Sequence, residues 1–305
     1  MAVSDRAPAE AVAAGIPWLE PVPPVAMVIA GAVSVQFGAA LGATLFDTLG
    51  PGGASLLRQV FAAAILLALW RPRIRHRSAR EWGLVVAFGV SLAVMNTGFY
   101  EALDRIPLGV CVTIEFIGPV AVAVLFSRRA LDLIWVALAV GGIVLLADPF
   151  GAGGVDPVGL AFILAAAACW AVYIVLAQRA TRVFHGSTGL ALAAGVAWLV
   201  PLGPGIAEAG VTNLLAPGAL AIGAAVALAS SVIPYSLESE SLRRLPANVF
   251  GVLMSLEPAV AALAGVIVLG QPLTAVLAVA LVMVVTASVG TTLTARRLPP
   301  PQPEA

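Results

Sequence analysis

Ten apolar stretches, most of them close to the length a helix needs to cross a bilayer, fill almost the whole of this 305-residue chain. A spanning helix takes about 20 apolar residues. The candidates are 24–45, 53–70, 82–103, 108–126, 131–147, 157–177, 188–206, 215–237, 247–269 and 272–294. They are continuously apolar rather than alternating, which excludes a closed barrel. Only 10% of residues are charged and the mean hydropathy is +1.03, whereas a soluble domain is about a quarter charged. The expected fold class is all-α integral membrane, with ten transmembrane helices.

The basic residues set an orientation. All 16 are arginines. Arg71, Arg73, Arg75, Arg77 and Arg80 follow the second stretch, Arg128 and Arg129 the fourth, Arg179 and Arg182 the sixth, Arg243 and Arg244 the eighth, and Arg296 and Arg297 the last. With ten spans, these all fall on one side, together with Arg6, and only Arg105 falls on the other. Arginine-rich loops stay cytoplasmic, so a multi-pass protein with both termini in the cytoplasm is expected. The first apolar run is too long for a signal-peptide core, and no A-x-A site follows it.

The two halves resemble each other. Glu101-Ala-Leu-Asp-Arg-Ile-Pro107 aligns with Glu240-Ser-Leu-Arg-Arg-Leu-Pro246 at an offset of 139, which also aligns Val110 with Val249 and Pro119 with Pro258. Five spans per half is an odd number, so the copies must be inverted in the bilayer. The expected organisation is a cytoplasmic tail at 1–22, one five-helix repeat at 23–150, a second at 155–295 and a disordered cytoplasmic tail at 296–305. Inverted repeats are typical of alternating-access carriers, whose site lies near the midplane.

Several polar side chains lie at membrane depth. Glu115 and Glu257 fall near the middle of the fourth and ninth stretches. A carboxylate in hydrocarbon costs a few kcal/mol even on lenient scales, so such groups face cavities or partners. Each reads as a site for a proton or an ammonium group, or as a hydrogen bond between helices. Arg58, in the second stretch, could snorkel to the interface, pair with Glu115 or hold a carboxylate bidentately. Gln36 and Asn96 could orient a polar substrate or bond a neighbouring helix. Trp170 and Tyr173 could line a cavity or fill the core. Pro119 and Pro258 each free a backbone carbonyl one turn earlier. Gly38-x-x-x-Gly42 reads as intramolecular close packing. Cys111 and Cys169 read as small core residues, and His76 and His185 as solvated loop residues.

Some functions are excluded. There is no Walker loop, H-E-x-x-H or G-x-S-x-G motif, so neither an ATP-driven pump nor a familiar hydrolase is expected. The chain reads as no enzyme, with no cofactor and no metal. A neutral balance without a basic face argues against nucleic acid as a partner.

Seven runs carry a family likeness: Met95-Asn-Thr-Gly-Phe-Tyr100, Ile106-Pro-Leu-Gly109, Glu115-Phe-Ile-Gly-Pro119, Ser127-Arg-Arg129, Cys169-Trp-Ala-Val-Tyr-Ile174, Pro234-Tyr-Ser-Leu-Glu238 and Leu253-Met-Ser-Leu-Glu-Pro258. From about Val25 to Arg296 the chain resembles the threonine/homoserine exporter branch of the drug/metabolite transporter (EamA) superfamily. The resemblance implies two inverted EamA repeats, a plasma (inner) membrane location and secondary active export of small amino acids by proton antiport. The alternative is export of hydrophobic cations or other small metabolites. In the leading reading Glu115 binds a proton or the substrate ammonium, Arg58 and Asn96 hold the carboxylate end, and Glu257 supports the second half of the cavity. The expected partners are a small-molecule substrate, protons and the lipid bilayer, with a homodimer admitted. Two positions depart from the family pattern. Leu41-Gly-Ala-Thr-Leu-Phe46 has Ala43 where the family carries a lysine, and Gln271 stands where it carries a glutamate.

Overall fold

Each of the ten expected stretches is largely helical among its described residues, because a backbone in hydrocarbon must satisfy its own hydrogen bonds. The computed structural model describes residues 20–72, 74, 77–125, 132–147, 155–184, 187–245 and 247–295. The tail at 296–305, most of the tail at 1–22, His76 and His185 lie outside the described residues. In chain order the helices are α1 Pro24–Ala43, α2 Phe46–Trp70, α3 Ala79–Leu103, α4 Leu108–Glu115, α5 Ile117–Leu125, α6 Asp132–Ala147, α7 Pro157–Val183, α8 Thr188–Ala197, α9 Leu199–Ala209, α10 Val211–Leu214, α11 Pro217–Ala227, α12 Ile233–Arg244, α13 Ala247–Met254, α14 Glu257–Leu269 and α15 Ala275–Ala295. A π-helical turn, Leu228–Val232, joins α11 to α12. Among the described residues, eight helical segments are long and apolar enough to cross a membrane; Leu108–Val122 and Leu133–Leu146 are apolar but shorter. The outer surface is itself apolar. Val25, Ile29 and Val33 form an exposed stripe on α1, and Ile267 and Val282 are more than half exposed. A polar solvent would disfavour such a surface; lipid accepts it. The chain is a multi-pass membrane protein.

Helix ends are capped where the chain turns. Ser78 and Glu81 form a capping box at the start of α3, and the Gly159 amide donates to Asp156 Oδ1 at 2.7 Å at the start of α7. Each cap is worth about 1 kcal/mol.

One boundary differs from expectation. The second stretch was expected from residue 53, but α2 begins at Phe46 and passes through a break at Gly50, where φ is 67°. Glycine tolerates that backbone, and Pro51 is suited to restarting a helix. The Gly52 amide donates to Glu208 Oε2 at 2.8 Å, so α9 caps the restarted helix. Asp47, Thr48 and the glycines lower hydropathy here and hide the helix. Arg58 consequently sits halfway along α2, not near its end.

The repeated sequence gives repeated local structure. Arg105 pairs with Glu101 at 3.1 Å at the end of α3, and Arg244 pairs with Glu240 near the end of α12, at the same offset of 139. Each pair precedes a helix that breaks and restarts, at Phe116 between α4 and α5 and at Ser255–Leu256 between α13 and α14. Pro119 and Pro258 cause the breaks. Helices pack in matching pairs: α3 lies on α7 as α12 lies on α1, α3 lies on α8 as α11 lies on α2, and α4 on α14 and α6 on α15 pair across the halves.

Candidate functional site

A cavity of about 650 Å³ lies among α1, α2, α3, α4, α5, α7, the π turn, α12, α13, α14 and α15. All seven side chains singled out from the sequence line it: Gln36, Arg58, Asn96, Glu115, Trp170, Tyr173 and Glu257. Membrane-depth polarity is the reason. The bundle buries these groups away from lipid and gathers them where water or a ligand can solvate them.

Proline places much of the site's backbone polarity. A helical proline has no N–H, so the carbonyl four residues earlier loses its donor. Pro119 does this to Glu115, Pro258 to Met254 and Pro234 to Ser230. Glu115 is therefore the last residue of α4, and Glu257 opens α14. At the third position the helix widens into the π turn, and side chains from other helices take the loose carbonyls. Ser34 Oγ donates to the Ala229 carbonyl at 2.6 Å. The Arg58 guanidinium donates to the Ser230 carbonyl at 3.3 Å and to Ser231 Oγ at 3.4 Å.

The approach of α1 to this turn requires Gly38, since a Cβ there would lie 2.8 Å from the Ser230 nitrogen. Gly42, one turn on, packs against the Tyr100 ring. The Gly38-x-x-x-Gly42 motif thus serves packing within the chain.

Arg58 is only 6% exposed. Among the described residues no carboxylate lies within 4.0 Å of it. It neither snorkels nor forms a direct ion pair with Glu115, which corrects two of the three readings of it. Its neighbours supply a hydroxyl, a carbonyl and the Tyr100 ring, whose centroid is 5.4 Å from Cζ. Guanidinium has five N–H donors, and these hydrogen bonds engage two. A buried charge without a counter-ion is costly, and an anionic ligand would relieve that cost.

Three carboxyls share the cavity with this one guanidinium: Glu115, Glu238 and Glu257. Glu257 Oε2 accepts from Gln36 Nε2 at 3.4 Å. Glu115, 9% exposed, has no hydrogen-bond partner among the described residues, although it feels the charge of Arg58. Glu257 in turn feels Glu115 and Glu238. Asn96 faces the cavity but donates to its own helix, Nδ2 to the Leu92 carbonyl, at 2.7 Å. Trp170 stacks edge-on against Phe116 at 5.2 Å, and Tyr173 leans on Phe88 at 5.1 Å. Both aromatics therefore serve the core as well as the cavity. Cys111 is buried and Cys169 half-buried, both free, as small packing residues would be.

The sequence reading missed Ser230, Tyr235 and Glu238. The signal was present in Pro234-Tyr-Ser-Leu-Glu238, where the proline frees Ser230 and the glutamate follows one turn later. The two departures lie off the cavity. Ala43 packs against the core, and Gln271 Oε1 accepts from the Leu108 amide at 2.9 Å, capping α4.

Among the described residues the cavity reaches exposed side chains near one end of α7. The exposed Gln178 and Thr181 line it, near the end of α7 that bears Arg179 and Arg182, and Thr292 lies near the end of α15. Ala39, Phe99 and Val112, which also line the cavity, are buried. A chamber of this kind can bind a small zwitterion and hold protons.

Comparisons with known proteins agree with the architecture. Residues 157–293 match the EamA-like transporter family. The chain is 43% identical to the threonine/homoserine exporter RhtA of Salmonella typhimurium strain LT2 over 285 residues, covering 92% of this chain and 94% of that one. It is 42% identical to RhtA of Escherichia coli strain K12 over 283 residues, covering 92% and 93%. An uncharacterized Bacillus subtilis transporter, YwfM, is 26% identical over 221 residues, 69% of this chain and 73% of that one. One crystal structure, 20% identical, superposes with a TM-score of 0.58 over 90% of this chain and 98% of its own, a likeness of fold alone.

Proposed function

Because the chain belongs to the EamA-like transporter family, in the branch of the threonine/homoserine exporters, we propose that it exports threonine, homoserine or similar small amino acids by proton antiport. The relatives are exporters rather than enzymes, and this chain is likewise a transporter. The observation that carries the reading is Arg58, a buried guanidinium without a carboxylate partner, facing a chamber that also holds Glu115 and Glu257. An amino acid presents one carboxylate and one ammonium on the same carbon. Arg58 takes the carboxylate, with Asn96 and Gln36 beside it. Glu115 takes the ammonium or, when the site is empty, a proton. Glu257 does the same from the second half.

The transport cycle in this reading is alternating access between two inverted repeats, 23–150 and 155–295, each of five spans. Three features support it: the ion pairs and proline breaks that recur at an offset of 139, the matching helix pairs, and the arginines gathered on one side. By the positive-inside rule the mouth faces the cytoplasm, at a plasma membrane with both termini inside. The chamber is then in the state that loads an exporter.

The test is efflux of radiolabelled threonine and homoserine from proteoliposomes under an imposed pH gradient. Wild type should export with the gradient and Glu115→Gln should lose the coupling. Equal export and equal pH dependence in the variant would remove Glu115 from the mechanism. A second reading, export of hydrophobic cations, is favoured by the three carboxyls beside the aromatic faces of Phe99, Phe116 and Trp170. Cationic dyes moving where threonine does not would select it.

A further inference from the structure

We propose that Glu238, with Tyr173 and Tyr235, forms a mouth subsite that binds the substrate's ammonium group before its carboxylate reaches Arg58. This rests on the reading of the chamber as an amino-acid path. Ser230, Pro234, Tyr235 and Glu238 line the cavity from one helical strip, the π turn and α12. The strip starts where the Ser230 carbonyl holds Arg58. Glu238 is eight residues further along, about 12 Å at 1.5 Å per residue. That is the rise between backbone positions, and among the described residues no ion pair joins the two side chains. In the proposal Glu238 and Arg58 serve successive positions of one molecule rather than one bound pose.

The surroundings of Glu238 suit a cation. Its carboxyl has no hydrogen-bond partner among the described residues, and the Tyr173 and Tyr235 rings line the same part of the cavity. Carboxylate plus aromatic faces is an arrangement that binds ammonium ions. The strip runs toward the helix ends that carry Arg179, Arg182 and Arg244. Arg244 is paired with Glu240, but Arg179 and Arg182 repel a cation there, and an ammonium gains from a carboxylate just inside them. Glu115 and Glu257 lie at the two proline breaks, deeper than Glu238, so a third carboxyl near the mouth separates admission from deep binding.

Two measurements test this. In the first, the solubilised full-length protein is treated with a carbodiimide, and modification of Glu238 is read by peptide mass. Tetramethylammonium, a cation with no nucleophilic nitrogen to couple, should protect Glu238, and methanesulfonate, an anion that does not consume the reagent, should not. Absence of protection by the cation, or equal protection by methanesulfonate, overturns the proposal whatever the protein transports. In the second, threonine counterflow is compared among wild type, Glu238→Gln and Glu238→Asp with substrate supplied at the arginine-rich side. Glu238→Gln should raise KM about tenfold with kcat within about twofold, and Glu238→Asp should restore most of the affinity. A fall in kcat at unchanged KM would overturn the subsite. A wild type that moves no threonine would instead refute the export reading, leaving protection by the cation to decide Glu238.

Discussion

Arg58 and Ser230 meet across two helices, the guanidinium donating to the backbone carbonyl at 3.3 Å, because Pro234 leaves that carbonyl without an amide. The positive charge of the chamber is thus held by a defect in the helix opposite. That contact joins residues 172 positions apart in sequence, and in the proposed mechanism the carboxylate site depends on it.

Replacing Pro234 with alanine supplies an amide that can bond Ser230 within the helix. Arg58 then loses its acceptor and its fixed position. Threonine KM should rise about threefold to tenfold, on the order of 1 kcal/mol, while the thermal unfolding midpoint should not fall. Counterflow kinetics and a melting curve on the same preparation check both halves.

Arg58→Lys keeps the charge but removes the planar fork. A point charge cannot hold the Ser230 carbonyl and a substrate carboxylate together. Affinity for threonine should drop about tenfold, equivalent to about 1.4 kcal/mol. An affinity unchanged from wild type in a direct binding titration would show that Arg58 does not touch the carboxylate.

Gly38→Ala places a Cβ 2.8 Å from the Ser230 nitrogen and 2.9 Å from Ser230 Cβ. Backbone cannot yield as a flexible side chain does, so α1 must move away from the π turn. Overpacking of this kind costs about 1–3 kcal/mol. The variant should melt earlier and bind threonine less tightly, and Gly203→Ala, whose Cβ would meet nothing within 4 Å, should do neither.

Gln271 Oε1 caps α4 through the Leu108 amide at 2.9 Å. Gln271→Ala leaves that amide without its partner and should destabilise the protein by about 1 kcal/mol. Gln271→Glu keeps an acceptor oxygen at the positive end of a helix and should melt within experimental error of wild type. Thermal unfolding in detergent distinguishes the two variants.

Much of the site was legible because hydrocarbon leaves few options. A glutamate such as Glu115 or Glu257 inside an apolar run must face something polar, and a bundle of this size offers one interior. Trp170 and Tyr173 were identifiable only as candidates, since an aromatic on a core face and one on a cavity wall obey the same spacing. Glu238 escaped because α12 is polar enough to read as the exposed end of its span. The start of α2 escaped because its glycines, Asp47 and Thr48 break the apolar run while Glu208, far along the chain, caps the helix.

The chain by itself determined the helices and the proline breaks, since hydropathy and a missing N–H act within one or two turns. Only the tertiary structure decided that Arg58 meets Ser230 rather than Glu115 or the interface, that Glu238 joins the chamber, and that position 43 lies outside it. Those outcomes depend on how closely helices distant in sequence approach, which is set by packing at contacts such as Gly38 against the π turn, and no local pattern records that.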